Sequence, residues 1–342
     1  MKPIIQVQNL TKTYKVYRNH QGYLGALRNL FDRKFDLIQA VNEINFDINP
    51  GELVGYIGPN GAGKSTTIKM LTGLLVPTSG EVLVNNYIPW KDRKAYVKQI
   101  GAVFGQRTTL WWDLPLSDSL GLLKHIYEIP NEIYLANLNL FREILALDAF
   151  MNTPVRSLSL GQRMRADLCA ALLHNPTLVF LDEPTIGLDV VAKQRIREFI
   201  QFINRERETT ILLTTHDISD VAKLCERVII IDYGKILYDG KLDGLLADFG
   251  GRRLLSVEFA ESYPHPTLQD AQITQMDGNK VIYSFERKTV SASLLIHRLS
   301  ENYRISDLEV RDQPLEDTIR DIYENQLLYN HPYGQENTPS RS

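Results

Sequence analysis

Four residues in the first fifth of the chain have the types and the spacing of a phosphate-binding loop. Gly58, Gly63, Lys64 and Ser65 fit the pattern G-x-x-x-x-G-K-[ST]. Glycines let the backbone curl so that its N–H groups face phosphate oxygens, and the start of a helix adds a positive dipole end. Lys64 is expected to bridge the β- and γ-phosphates, and the Ser65 hydroxyl to hold Mg²⁺. The pattern predicts a site for a nucleoside triphosphate.

The residues on both sides of this loop support the prediction. The apolar stretch 52–57 precedes it and reads as a short strand. Residues 66–75 follow it, with Ile68, Leu71 and Leu75 on one face of a predicted helix. Strand, glycine loop and helix in this order are the context that the motif requires.

A pair of carboxylates ends a second apolar strand, predicted over residues 178–181. Asp182 and Glu183 follow it directly. In a protein with a phosphate-binding loop, Asp182 is expected to complete the Mg²⁺ shell through water. Glu183 is placed to polarise an attacking water as general base. The alternative is a strand that ends in a solvated acidic turn, and the phosphate loop upstream favours the catalytic interpretation.

A third motif, Leu158-Ser-Leu-Gly-Gln162, opens a predicted helix that runs to His174. Ser159 is suited to the N-cap position, where the free N–H groups that follow it form an anion site. An ordinary capped helix is the alternative. The order of the parts decides between them, because the phosphate loop, Gln106, this segment, the acidic strand and His216 follow one another along the chain.

This order resembles the ATP-binding cassette family, the motor subunits of ABC transporters, over residues 1 to about 240. The resemblance identifies Gly58 to Thr66 as Walker A, Gln106 as the Q-loop glutamine that senses Mg²⁺ and the partner subunit, Leu158 to Gln162 as the signature, Asp182 and Glu183 as Walker B with the catalytic glutamate, Gly187 to Asp189 as the D-loop, and His216 as the switch histidine.

Residue roles follow from the same resemblance. The implied catalytic residues are Glu183, His216 and Gln106, and the implied Mg²⁺ ligands are Ser65, Gln106 and Asp182. The implied contacts to ATP are Tyr14, Gly58, Asn60, Gly61, Gly63, Lys64, Ser65, Thr66, Ser159, Gly161, Gln162 and Asp189.

One of these assignments has a neighbouring alternative, and one residue of the motifs departs from the family pattern. Tyr14 stands where the family keeps an aromatic residue that stacks on adenine, and Tyr17 is a neighbouring alternative. Leu160 replaces the first glycine of the signature. The serine and the second glycine, which make the γ-phosphate contact in the family, are both present as Ser159 and Gly161. With Glu183 also in place, we expect an active site.

The predicted fold class is α/β: a P-loop NTPase cassette with a parallel sheet core, an antiparallel β subdomain and a helical subdomain, plus a small C-terminal α+β domain. Strands that alternate with helices and read as continuous apolar runs predict the parallel sheet. The predicted domains are the cassette at 1–245, an accessory or regulatory domain at 246–328 and a disordered tail at 329–342. Within the cassette the helical subdomain spans about 107–175, and a basic insertion at 15–38 separates strands at 3–9 and 40–48.

The C-terminal domain is predicted from four strands and two helices. The strands are expected near 254–259, 271–276, 280–285 and 304–310, and the helices near 290–301 and 314–328. Asp277-Gly278-Asn279 is a tight-turn signal between the second and third of these strands.

Composition narrows the functional class. The chain has 342 residues with a net charge of −3, and so has no global attraction to nucleic acid or anionic lipid. No apolar run approaches the ~20 residues needed to cross a bilayer, so a membrane role requires a partner. Cys169 and Cys225 lie in apolar helical surroundings and are expected to be buried thiols, which fits a reducing cytoplasm.

The resemblance also implies partners and a location. Each cassette is expected to pair head to tail with a second ABC subunit and to drive export through a separate integral membrane permease. A homodimer is the favoured pair, and a mixed pair of cassettes is the alternative. The expected location is peripheral, on the cytoplasmic face of the membrane. The alternative is a soluble cassette ATPase that acts on nucleic acid or ribosomes. A GTPase is disfavoured because the guanine-reading Asn-Lys-x-Asp motif is absent from the sequence.

Two surface features leave their interpretations open. The basic insertion, with Leu24, Leu27, Phe31 and Phe35 at helical spacing, is a solvated surface hairpin or a contact to the membrane subunit or lipid head groups. The adjacent Trp111 and Trp112 line a groove for a membrane subunit's helix, or divide between core and surface.

Overall fold

The computed structural model describes residues 2–17, 35–105 and 107–324. They divide into two compact units, whose boundary in sequence lies between Asp239 and Gly240. The predicted boundary at residue 245 falls inside a helix, Leu242–Phe249. Gln106, residues 18–34 of the predicted insertion and the predicted tail lie outside the described residues.

The first unit alternates strands and helices along the chain. Its strands are β1 (Ile5–Tyr17), β2 (Phe35–Ile48), β3 (Leu53–Ile57), β4 (Ser79–Val84), β5 (Ile100–Phe104), β6 (Leu178–Asp182), β7 (Thr210–Thr215), β8 (Arg227–Asp232) and β9 (Lys235–Lys241). Its helices are α1 (Lys64–Leu71), α2 (Arg93–Val97), α3 (Leu116–Ile126), α4 (Asn131–Ile144), α5 (Leu160–Leu172), α6 (Val190–Arg207) and α7 (Ile218–Leu224), with short 3-10 turns at Asp148–Phe150 and Val155–Ser157.

A six-stranded sheet in the order β5-β6-β7-β3-β8-β9 forms the centre of this unit. The pairs β5–β6, β6–β7, β7–β3 and β3–β8 are parallel. Every residue of β3 and β7 is buried, which agrees with the apolar runs read from the sequence and with helices on both faces of a parallel sheet. The predicted α/β cassette core is confirmed.

A second, antiparallel sheet in the order β2-β1-β4 belongs to the same unit. Its strands are longer than predicted, because β1 continues to Tyr17 and β2 begins at Phe35. Residues 15–17 and 35–38 of the predicted insertion therefore pair as strands, and Phe35 does not belong to a helical repeat. A shared core of buried side chains joins this sheet to α1 and the parallel sheet, including Ile5, Leu10, Val41, Ile68 and Leu71.

The helices α3 to α5 lie within the range of about 107–175 that was predicted as helical, and α5 is the helix predicted at the signature. α3 is amphipathic and buries Leu116, Leu120 and Leu123. The helix after the phosphate loop is shorter than predicted, since it begins at Lys64 and ends at Leu71, where Thr72 and Gly73 close its last turn. No helix among the described residues is long and apolar enough to cross a bilayer.

The second unit is a four-stranded antiparallel sheet with helices. It contains α8 (Leu242–Phe249), β10 (Arg252–Phe259), β11 (Gln272–Asp277), β12 (Lys280–Glu286), α9 (Ala292–Asn302), β13 (Ile305–Asp312) and α10 (Leu315–Glu324), with the sheet order β11-β12-β10-β13. The predicted turn between β11 and β12 is present, with Gly278 at φ +57°. A separate core around Leu255, Tyr283 and Leu295 holds the unit together.

Candidate active site

Three chain segments meet at one edge of the parallel sheet because parallel strands all end on the same side. β3 ends at Ile57, directly before the phosphate loop, and β7, its neighbour, ends directly before His216. β6 delivers Asp182 and Glu183 beside β7. Loops at the carboxyl ends of such strands are where α/β proteins bind ligands.

The phosphate loop is folded around a glycine whose conformation and surroundings exclude a side chain. Gly63 has φ +110°, and a Cβ on it would lie 2.5 Å from the carbonyl oxygen of Ala40 on β2. This close approach fixes the loop against β2 and leaves Lys64 as the first residue of α1. The loop thus opens on a helix N-terminus, which favours anions.

Lys64 is held inside the loop that it follows. Its side chain is buried, and its ammonium group donates to the carbonyl oxygens of Gly58 at 2.7 Å and Pro59 at 3.1 Å. Burial lowers the pKa of Lys64, and the carboxylates of Glu183 and Asp182 oppose that shift. A cation bound only to carbonyl dipoles in a buried position is suited to pair with phosphate.

Asp182 joins the phosphate loop to the next strand. Its Oδ1 accepts a hydrogen bond from the Ser65 hydroxyl at 3.4 Å and another from the Thr214 hydroxyl on β7. Hydroxyl and carboxylate oxygens are the ligands that Mg²⁺ prefers, and the ion keeps several waters or phosphate oxygens besides. Ser65 and Asp182 therefore fit the Mg²⁺ site predicted for them.

Glu183 is held in an unusual backbone conformation. It has φ +55°, a left-handed value that is rare for a residue other than glycine, asparagine or aspartate, and its N–H donates to the carbonyl of Thr214 at 2.9 Å. Its Oε1 lies 3.2 Å from Nδ1 of His216. Strained residues of this kind cluster at functional sites. The conformation turns the Glu183 carboxylate toward the switch histidine.

Ser65, Asp182, Glu183 and His216 line one cavity of about 570 Å³, which we name the Walker cavity. Of the residues predicted from the sequence, it brings together Asn60, Ser65, Asp182, Glu183 and His216. Sequence reasoning missed Lys69, Leu74, Phe104, Gly105, Arg107 and Ile186 in its walls. Lys69 was detectable, because it stands four residues after Ser65 on the same helix face.

The signature residues line a different cavity of about 450 Å³, which we name the signature cavity. Ser159 caps α5: its hydroxyl accepts from the N–H of Gln162 at 3.2 Å, and the Gln162 side chain accepts from the N–H of Ser159 at 2.9 Å. The predicted cap is confirmed as a capping box. Gly161 and Asp189 lie in the same walls, and Asp189 caps α6 through the N–H of Ala192 at 2.8 Å.

The unusual signature residue Leu160 packs on the D-loop of the same chain. Its Cδ2 lies 3.0 Å from where a Cβ on Gly187 would stand. Gly187 has φ +69°, so both its backbone and its neighbour require glycine. The leucine therefore links the start of α5 to the D-loop.

A buried ion pair anchors the segment between the two cavities. Thr185, which lies between Glu183 and the D-loop, donates its hydroxyl to the Asp220 carboxylate on α7. Arg197 on α6 pairs with the same carboxylate through Nε at 2.6 Å, and all three side chains are buried. Paired and hydrogen-bonded in this way, the buried charges are satisfied, and the segment is fixed to α6 and α7.

The remaining predicted residues are placed as follows. Tyr14 lies opposite Ile38 on β2, two residues before Ala40, and does not line the Walker cavity. The ammonium of Lys12 lies 5.4 Å from the centre of its ring. Gln106 is outside the described residues. The Walker cavity and the signature cavity have no lining residue in common.

Comparison with known proteins decides the family. The model of the ABC transporter family matches residues 41–186. The ABC transporter ATP-binding protein NatA of Bacillus subtilis (strain 168) is 33% identical over 215 residues, which are 63% of this chain and 87% of NatA. The chain belongs to the ABC transporter ATP-binding protein family.

Two further relatives agree with this ABC cassette assignment. The probable multidrug ABC transporter ATP-binding protein YbhF of Escherichia coli (strain K12) is 33% identical over 243 residues, 70% of this chain but 40% of YbhF. The dimeric structure of the ATP-binding cassette MJ0796, in a post-hydrolysis state bound to ADP and Pi, superposes with a TM-score of 0.58 at 28% identity over 70% of this chain and 98% of that one. The chain is an ATP-binding subunit of an ABC transporter and an ATPase.

In this ABC cassette a buried carboxylate ties the segment after Gln106 to the signature helix. Asp167 on α5 accepts hydrogen bonds from the Thr108 hydroxyl at 2.7 Å and from the N–H of Thr109 at 3.2 Å. Burial raises the pKa of Asp167 to about 6, and the two hydrogen bonds and the charge of Arg163 oppose the shift.

Two adjacent tryptophans follow closely in the chain after the residues that bind Asp167. Trp111 and Trp112 are 39% and 54% exposed, so the division into one core and one surface residue does not hold. The guanidinium of Arg163, on the signature helix, lies 5.7 Å from the Trp112 ring centre. The cassette thus presents two exposed aromatic rings beside the helix that carries its signature.

Proposed function

We propose that this cassette works as one half of a head-to-tail pair, in which the signature cavity of each copy covers ATP held in the Walker cavity of the other. The carrying observation is that Asn60 and Ser65 of the phosphate loop line one cavity of the chain, whereas Ser159, Gly161 and Gln162 of the signature line another. One copy therefore offers the phosphate loop without a signature facing it. MJ0796, a dimeric cassette of similar fold, supports the pairing.

The physical reason for pairing is charge. A triphosphate carries more negative charge than Lys64 and one helix N-terminus neutralise, and the start of α5 from a second copy supplies further N–H groups. ATP then favours the closed pair because it contacts both copies there and only one copy in the open state. Hydrolysis removes those contacts, and the pair opens again.

Within the closed site we assign residue roles as follows. Glu183 orients and polarises the attacking water, and His216, 3.2 Å from its carboxylate, contacts the γ-phosphate and stabilises developing charge. Ser65 and Asp182 hold Mg²⁺ together with Gln106, and Tyr14 stacks on adenine. The ion, when bound, neutralises charge on the β- and γ-phosphate oxygens.

We further propose that the pair is a homodimer attached to a separate integral membrane permease on the cytoplasmic face, where it drives export. The relationship to YbhF, named as a probable multidrug transporter protein, supports export. Trp111 and Trp112 are the proposed contact to the permease, since exposed aromatic residues next to the signature helix are suited to anchor a helix of a partner. The unit from Gly240 onward is proposed as an accessory or regulatory domain.

Co-purification from detergent-solubilised membranes tests this function. The full chain, purified from the solubilised membranes of its native cells, is expected to co-purify with an integral membrane protein. The Trp112→Ala variant is expected to purify without it. Tyr233→Ala, which changes an 81% exposed aromatic residue elsewhere in the cassette, is the control and should retain it. A chain found only in the soluble pool contradicts the transport proposal.

A further inference from the structure

The signature cavity contains two arginine side chains besides the family motif. Arg165 on α5 and Arg195 on α6 both lie in its walls, together with Asp189. Burial lowers the pKa of Arg165, the positive charge of Arg195 lowers it further, and Asp189 opposes both effects. The cavity therefore holds two positively charged side chains and one carboxylate, none of the three within the signature motif itself.

The two arginines differ in how their guanidinium groups are used. Arg165 donates to the carbonyl oxygens of Leu145 at 2.8 Å and Ala146 at 3.2 Å, and its guanidinium lies 4.9 Å from the ring centre of Phe150. These contacts engage Arg165 in holding α5 to the turn after α4. Arg195, in contrast, makes no hydrogen bond or ion pair within the described part of the chain.

The other basic residues in the first half of α6 are committed to partners. Lys193 pairs with Asp217 at 2.5 Å, and Arg197 pairs with the buried Asp220. Arg195 stands between them in sequence and faces the signature cavity one turn after Val191, which also lines it. The helix thus directs its one half-buried, unpaired arginine into the cavity, which is also lined by Leu160 and Gly161. The N–H groups of these two residues stand at the start of α5 and have no acceptor within their own helix.

From this arrangement we propose that Arg195 is a nucleotide-binding residue that acts in trans, contacting the triphosphate held in the Walker cavity of a second copy of this chain. The inference rests on the proposed head-to-tail pair and adds a contact to it. Arginine is suited to this role because its planar guanidinium binds phosphate through two N–H donors. The Leu160 side chain packs on the D-loop of its own chain. The additional contact to the triphosphate therefore comes from α6 and not from the signature segment.

The test uses the full chain with Glu183→Gln, which retains ATP. Sedimentation velocity measures the ATP concentration at which half of the protein is dimeric. Adding Arg195→Gln is expected to raise that concentration about tenfold, since a charge-assisted contact to phosphate is lost. Arg195→Lys is expected to recover part of the loss. Arg205→Gln, an exposed arginine farther along the same helix, is the matched control and should leave it unchanged.

A second measurement separates action in trans from action within one copy. Binding of a fluorescent ATP analogue to protein kept dilute enough to stay monomeric should be unchanged by Arg195→Gln. Weakened binding to the monomer would overturn the assignment in trans, as would equal dimerisation with and without Arg195→Gln. Failure of Glu183→Gln alone to dimerise with ATP would overturn the proposed pairing and the inference with it.

Discussion

The Walker cavity and the signature cavity are built from different parts of the fold and carry different chemistry. The first lies at the ends of parallel strands and contains two carboxylates, a histidine, and Asn60 and Ser65 of the phosphate loop. The second lies between two helix starts and contains a capping box and two arginines. The first contains the proposed general base Glu183, whereas the second has arginine and backbone donors suited to phosphate. The one carboxylate among the lining residues of the second is Asp189, which caps α6.

That difference separates catalysis from binding within one chain. The end of β6 is held by ladder hydrogen bonds to β5 and β7, which fixes Asp182, and the N–H of Glu183 donates to the Thr214 carbonyl on β7. In-line attack requires such fixed positions. Helix starts supply N–H groups and positive dipole ends, which can bind the phosphate of a nucleotide held by another copy of the chain. The two cavities are joined by five residues between Glu183 and Asp189, and Thr185 fixes this connection to Asp220.

The largest effect is expected from a substitution that removes the proposed general base from the Walker cavity and leaves the signature cavity unchanged. Glu183→Gln keeps the size of the side chain but removes the base. We expect kcat to fall about 10²- to 10⁴-fold with little change in the KM for ATP. Phosphate release measures it, and Glu206→Gln, an exposed glutamate on α6, is the control. Turnover near the wild-type rate would remove Glu183 from its role.

The connection between the cavities depends on the buried pair of Arg197 and Asp220. Arg197→Met leaves the Asp220 carboxylate buried without its cation, so the free energy of unfolding is expected to fall by about 3–5 kcal/mol. Urea unfolding measures the loss. Arg205→Met, at an exposed position on the same helix, should change it by less than about 0.5 kcal/mol. Similar values for both variants would mean that the pair does not anchor the segment.

The tie between the signature helix and Thr108 gives a pH-dependent prediction. Because burial raises the pKa of Asp167 to about 6, the folded chain binds this proton more tightly than the unfolded chain does. Its contribution to stability is present below the unfolded pKa and is lost as pH rises through about 6. Relative to wild type, Asp167→Asn should gain up to about 2–3 kcal/mol in unfolding free energy between pH 4 and pH 7.5. A constant difference across that range would contradict the assignment.

The contact between Leu160 and Gly187 carries the smallest of these effects. Gly187→Ala adds a Cβ 3.0 Å from the leucine at φ +69°, and should cost about 1–2 kcal/mol of stability and lower the ATPase rate. Leu160→Ala in the same chain should recover the part due to the contact. Gly121→Ala, in a helix where a Cβ meets nothing within 4 Å, is the control and should be neutral or stabilising. No recovery in the double variant would exclude the contact as a cause.

Much of the Walker cavity could be predicted from the sequence because its residues sit at strand ends. A continuous apolar run fixes where a strand ends, so the positions of Asp182, Glu183 and His216 followed from local pattern and the topology of a parallel sheet. The capping box was likewise local, since Ser159 and Gln162 are three residues apart.

The other features of the fold and the site could not be predicted, because they depend on contacts between residues that are far apart in the sequence. The strands β1 and β2 extend into the predicted insertion because they pair with each other from Tyr14 to Tyr17 and from Phe35 to Ile38, which no local pattern in the basic segment revealed. The pairing of Asp167 with Thr108 joins residues 59 positions apart. In the sequence, nothing distinguishes Arg195 from the other charged residues of an amphipathic helix. Its position in the signature cavity depends on how α5 and α6 pack together.

Dependence of ATPase activity on protein concentration tests the shared site most directly. If each Walker cavity is completed by the signature cavity of another copy, the turnover per chain must rise with concentration and reach a plateau as pairs form. We predict that a dilute, strictly monomeric preparation binds ATP and hydrolyses it at a small fraction of the plateau rate. A turnover per chain that stays at its full value down to the most dilute monomer would contradict the account.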